Sequence, residues 1–167
     1  MEAFGRFTDN LNKIVLWASI ACFGVMTFCA GAQVLTRYLM SAPLEWTEEI
    51  ARFMFIYIAL LGSAICVKQM SHINVDLVLV RVSAKTQWTM KVFVAVTSMV
   101  FFAIMSWSGV EISAATMEQY APATDLPMGY VYASVPISGL LMLIYSGEIF
   151  LKLIREKTGG CQAQGGK

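Results

Sequence analysis

The sequence predicts an all-α integral membrane protein that crosses the bilayer four times, and three observations carry that prediction. Of the 167 residues, 57% are hydrophobic and 14% charged, against about 25% charged in a soluble domain. The apolar residues gather in four long runs without the period of an amphipathic soluble helix or strand. Lys and Arg crowd into alternate flanks of those runs.

A hydrocarbon core about 30 Å thick takes roughly 20 apolar residues in a helix, because each backbone amide must be satisfied inside the segment. The first span covers about 14–35 and is too long for a secretory signal, so it is expected to stay in the mature chain. The second has an apolar run only from Phe53 to Val67, but Pro43 suits a helix start and Trp46 an interface, which extends it back to about 44–67. The third covers about 92–110, with Trp88 and Trp107 near its ends. The fourth covers about 130–151, anchored by Tyr130 and Tyr132 and open to a kink at Pro136.

These spans make one membrane domain, 1–157. The connection from Gln69 to Gln87 spaces Ile73, Leu77 and Val80 as an amphipathic helix lying in the interface, with Arg81 and Lys85 turned to lipid headgroups. Residues 158–167 are Gly-rich and read as a flexible cytoplasmic tail.

Ten of the twelve Lys and Arg residues lie at the N-terminus, in the second connection or at the C-terminus, leaving Arg37 and Arg52 on the other side. Such residues stay cytoplasmic, so both termini are expected inside the cell. The third connection, 111–129, has neither Lys nor Arg and carries Glu111, Glu118 and Asp125.

A net charge of +1 gives no basic stripe for nucleic acid. Cys22, Cys29, Cys66 and Cys161 show no CxxC spacing, and His72 is the sole histidine, so no metal site or cofactor is expected. Cys22 and Cys29 stand about 10 Å apart on one helix, too far for a disulfide. No nucleophile with its base and no phosphate loop is visible, which argues against an enzyme.

The densest charged cluster opens the second span. At about 100° per residue, Glu45, Glu48, Glu49 and Arg52 share a stripe that Ala59, Ser63 and Cys66 continue, with Trp46 beside it. A polar and small stripe admits another helix, which points to a partner or scaffold contact. The plainer reading is acids at a helix N-terminus and a weak Glu48–Arg52 pair. After this span, His72 and Asp76 stand four apart, where a local hydrogen bond at the interface competes with a proton relay. Glu148 is the deepest acid of any span. Pairing with Lys152, near the headgroups, competes with ion coupling there.

The blocks Glu45-Trp46-Thr47-Glu48-Glu49-Ile50-Ala51-Arg52, Leu61-Gly62-Ser63-Ala64 and His72-Ile73-Asn74-Val75-Asp76, with Leu126-Pro127 and Val135-Pro136-Ile137, resemble the small membrane subunit of tripartite ATP-independent periplasmic (TRAP) transporters. The resemblance covers about residues 14–151. It implies a sodium-driven symporter importing organic acids of the C4-dicarboxylate or sialic acid type. A large permease subunit would hold the substrate and ion sites, this subunit would pack on its scaffold, and a periplasmic substrate-binding protein would dock. The second-span stripe would then contact the large subunit, and Glu118 and Asp125 would help receive the binding protein. An adaptor of another membrane complex and a stand-alone small transporter are the competing classes.

Overall fold

A computed structural model describes residues 2–39, 44–70 and 84–160. It contains α1 (Glu2–Leu39), α2 (Glu45–Met70), α3 (Ala84–Ala115), the short α4 (Met128–Tyr132) and α5 (Ser134–Gly160). Among the described residues four spans are long and apolar enough to cross a membrane, the fourth formed by α4 and α5 together. The chain is a multi-pass, all-α membrane protein.

The helices outrun the apolar segments that announce them. With 38 residues, α1 is about 57 Å long, nearly twice the hydrocarbon core. Apolar runs mark only the stretch that meets lipid, and a helix continues until something stops it. None of the four prolines falls within α1, α2 or α3, so nothing forbids the extension. Glu45 and Glu48 lie in the first turn of α2, where the helix dipole favours acids.

The break in the fourth span falls at Ala133, between α4 and α5. Pro136, where the sequence located a kink, has no N–H for the carbonyl of Tyr132 four residues earlier, so the interruption opens on its N-terminal side. Helix α5 runs to Gly160, three residues into the segment read as tail. The predicted interfacial helix, with His72 and Asp76, lies mainly at 71–83, outside the described residues.

Packing runs α1 on α2, α2 on α5 and α5 on α3. The edges of this row are α1 and α3, and only 11% of their most apolar windows is buried, against 22% for α2 and 33% for α5. Aromatic side chains such as Trp17, Phe28, Phe93 and Trp107 point outward from the edges, as lipid-facing surfaces do. Small residues bring α3 and α5 together. A Cβ on Gly109 would sit 2.8 Å from the ring of Pro136, and one on Gly139 would sit 3.1 Å from the backbone of Ser106. Close approach of this kind is what holds helices in lipid, where the hydrophobic effect does not drive them together.

Candidate functional site

Two polar constructions stand out in the bundle, one at each end of α2. The first joins the N-terminal half of α2 to the third connection. Glu49, Phe53 and Tyr57 recur every four residues and therefore form one column on the helix. The Glu49 Oε2 accepts hydrogen bonds from the Ala123 amide at 3.2 Å and the Thr124 hydroxyl at 2.7 Å. Phe53 is buried with Ala121 and Val131. The Tyr57 hydroxyl donates to the Tyr130 carbonyl at 2.6 Å.

The connection itself is a tight hairpin-like turn. Tyr120 bridges Pro127, the Met128 amide donates to the Gln119 carbonyl, and Ala121 exchanges backbone bonds with Leu126 and Asp125. Asp125 takes φ 50°, a left-handed conformation that Asp tolerates better than most residues. Ser113 Oγ donates to the Gly129 carbonyl at 2.7 Å, and a Cβ on Gly129 would collide with Ser113 O at 2.6 Å. Glu118 and Asp125 are both exposed on this turn.

The acid stripe thus divides. Glu49 is half-buried and turned to the loop, whereas Glu48 pairs with Arg52 at 3.1 Å and accepts from Gln33 of α1 at 3.2 Å. Glu45, Trp46, Arg52, Ala59 and Ser63 are exposed, so the outward part of the stripe is open to another chain. Of the seven residues assigned to a partner contact, Glu49 is the one turned to the third connection, while Glu48 and Arg52 pair with each other and the Ser63 hydroxyl donates to the Ala59 carbonyl.

The second construction lies near the far end of α2 and ties three helices together. Lys68 Nζ is 2.5 Å from Glu148 Oε2, 2.8 Å from Thr8 Oγ1 and 3.0 Å from Asp9 Oδ1, and it sits 5.8 Å from the ring centre of Tyr145. Lys152 reaches the other oxygen of Glu148 at 2.8 Å. Among the described residues, two lysines face two carboxylates here. The Glu148–Lys152 pair expected from the sequence is present, but Glu148 is only 5% exposed and is a core group, which corrects its reading as a surface one. With a lysine on each oxygen, Glu148 has the surroundings of a structural pin.

Sequence reasoning missed Lys68 as a partner, having counted it only as a flanking charge. A signal was available, because Leu61, Ala64, Ile65 and Lys68 follow helical spacing and the first three are buried. Among the described residues no cluster of His, Cys, Asp and Glu could hold a metal ion.

The family model of the tripartite ATP-independent periplasmic transporters, DctQ component, matches residues 26–156. The chain belongs to this DctQ family. It is 22% identical over 160 residues to the sialic acid TRAP transporter small permease protein SiaQ of Vibrio cholerae, covering 95% of this chain and 90% of that protein. It is 31% identical over 149 residues to the isethionate TRAP transporter permease protein DctMQ of Oleidesulfovibrio alaskensis, covering 84% of this chain. To the sialic acid TRAP transporter permease protein SiaT of Haemophilus influenzae it is 25% identical over 159 residues, covering 89% of this chain. The match spans about a quarter of these last two relatives, 23% and 24% of their lengths. The DctQ match takes in the whole α2 column, the third connection and Glu148, while Thr8 and Asp9 lie before it.

Proposed function

We infer that this DctQ-family chain is the small, non-catalytic membrane subunit of a sodium-driven TRAP symporter that imports a small organic acid across a bacterial inner membrane. The family match over residues 26–156 carries this reading. Relatives are named for sialic acid, isethionate and C4-dicarboxylate. All three are organic anions, and that is the substrate class proposed.

The partner on the membrane side is a large permease subunit. Two relatives carry a DctQ-like quarter within a much longer chain named a permease, which favours a lasting association between the two. The exposed part of the α2 stripe, Glu45, Trp46, Arg52, Ala59 and Ser63, is the surface offered to it, and Glu48 holds Arg52 in place there. Both termini face the cytoplasm, which turns the third connection toward the periplasm. There Glu118 and Asp125 help receive the substrate-binding protein, whose matching surface would be basic.

The test is sodium-dependent uptake of sialic acid, isethionate and C4-dicarboxylates in proteoliposomes. It compares this chain alone, the chain with its large permease, and both with a binding protein. Uptake only by the complete set is expected; uptake by this chain alone would overturn the reading.

A further inference from the structure

The half-buried carboxylate of Glu49 has an orientation that the docking role does not by itself require. It points back into the chain and accepts two hydrogen bonds from the tip of the third connection, from the Ala123 amide at 3.2 Å and the Thr124 hydroxyl at 2.7 Å. Ala123 follows Pro122, which has no N–H to give, and precedes Asp125 at φ 50°. At the tip the Ala123 amide and the Thr124 hydroxyl find their acceptor on α2. Below Glu49, Phe53 is buried against Ala121 and Val131 and Tyr57 bonds to Tyr130, so one face of α2 grips the connection at three successive levels.

We propose that Glu49 is a positioning residue for docking: it holds the 119–127 turn in the one shape that presents Glu118 and Asp125 together, and does not touch the binding protein itself. This rests on the reading that the third connection receives that protein. The presented surface is acidic with an apolar centre, since Tyr120 and Leu126 are 64% and 44% exposed and residues 111–129 contain no Lys or Arg. It calls for a basic-rimmed, partly apolar patch on the partner. Without Glu49 the exposed tip exchanges its bonds for water and samples other shapes. Apparent affinity then falls in proportion to the competent fraction.

The test uses the complete transporter in proteoliposomes, with the binding protein titrated. Glu49→Ala is expected to raise the KM for the binding protein about tenfold, as when the competent fraction falls to a tenth, with Vmax at saturation unchanged. Thr124→Val should act in the same direction, the double variant should be little worse than Glu49→Ala alone, and Thr124→Ser should keep the wild-type KM. Amide exchange at residues 119–126 should quicken in Glu49→Ala.

Additive losses would mean that Glu49 meets the binding protein directly and would overturn the proposal. So would unchanged exchange at 119–126, or a fall in Vmax at constant KM. Charge reversal at Glu118 and Asp125 serves as a separate arm. If it leaves the titration unaltered, the docking reading itself fails and the proposal with it; if it weakens docking while Glu49→Ala does not, only the positioning role fails.

Discussion

Lys68 on α2 and Glu148 on α5, 80 residues apart in sequence, meet with side chains only 10% and 7% exposed. A buried pair of this kind adds little net stability over a well-packed apolar substitute, yet removing one partner strands the other charge. Lys68→Met or Glu148→Leu alone should each destabilise the protein by roughly 3–5 kcal/mol, read as a lower unfolding midpoint in detergent. The double variant should recover most of that loss, because Asp9 and Lys152 are 64% and 50% exposed and can return to water. Equal damage from single and double variants would refute the pin.

Lys152 should matter far less than Lys68, although both touch Glu148. Half of its side chain is exposed and can return to water, and Lys68 stays on the buried carboxylate, so the loss should lie nearer that of an exposed pair, about 0–1 kcal/mol. Lys152→Ala should lower the midpoint slightly, and the difference from wild type should shrink as salt is added. A loss as large as that of Lys68→Met would contradict this ordering.

The glycines divide by what surrounds them. A Cβ at Gly109 or Gly129 would lie within 2.8 Å of neighbouring atoms, whereas Gly24 and Gly31 have nothing within 4 Å. Overpacking costs about 1–3 kcal/mol, so Gly109→Ala and Gly129→Ala should lower the unfolding midpoint while Gly24→Ala and Gly31→Ala should not. Destabilisation by the second pair in the isolated subunit would show a different packing of α1.

Tyr57→Phe removes one hydrogen bond and little volume. The expected loss is about 1 kcal/mol, and Phe53→Ala one step away on the same column should cost about 3–5 kcal/mol. Thermal unfolding of the two variants checks the order; the reverse order would deny Phe53 its place in the loop core.

Arg52 offers a cleaner view of the partner surface. Its ion pair with Glu48 has side chains 69% and 59% exposed and should contribute at most about 1 kcal/mol. Arg52→Glu should therefore leave the isolated subunit folded and reduce recovery of the large permease in a pull-down. Normal recovery with normal uptake would remove this stripe as the contact.

The span count was legible because lipid leaves so little choice: each apolar run of membrane length had to be a helix. The ends of α1 and α3 were not, since polar helix-forming residues continue a helix without adding to an apolar run. The stripe on α2 was legible as a set of residues sharing a face, but helical periodicity says nothing about what stands opposite. Glu49 and Glu48, next to each other in sequence, proved to face a loop and another helix. Lys68 could have been found by asking which charges fall on the buried face of α2. The pairing with Thr8 and Asp9 could not, because only the fold brings the start of the first helix to the end of the second.

The spatial order α1, α2, α5, α3 differs from the order in which a ribosome makes these helices. The third helix leaves synthesis with its main neighbour still unmade, and among the described residues it joins the first two chiefly through the last. The fourth span thus acts as a keystone. Until it inserts, the first two spans are a hairpin and the third is without its main neighbour, and the four-span unit closes only once the fourth has been made.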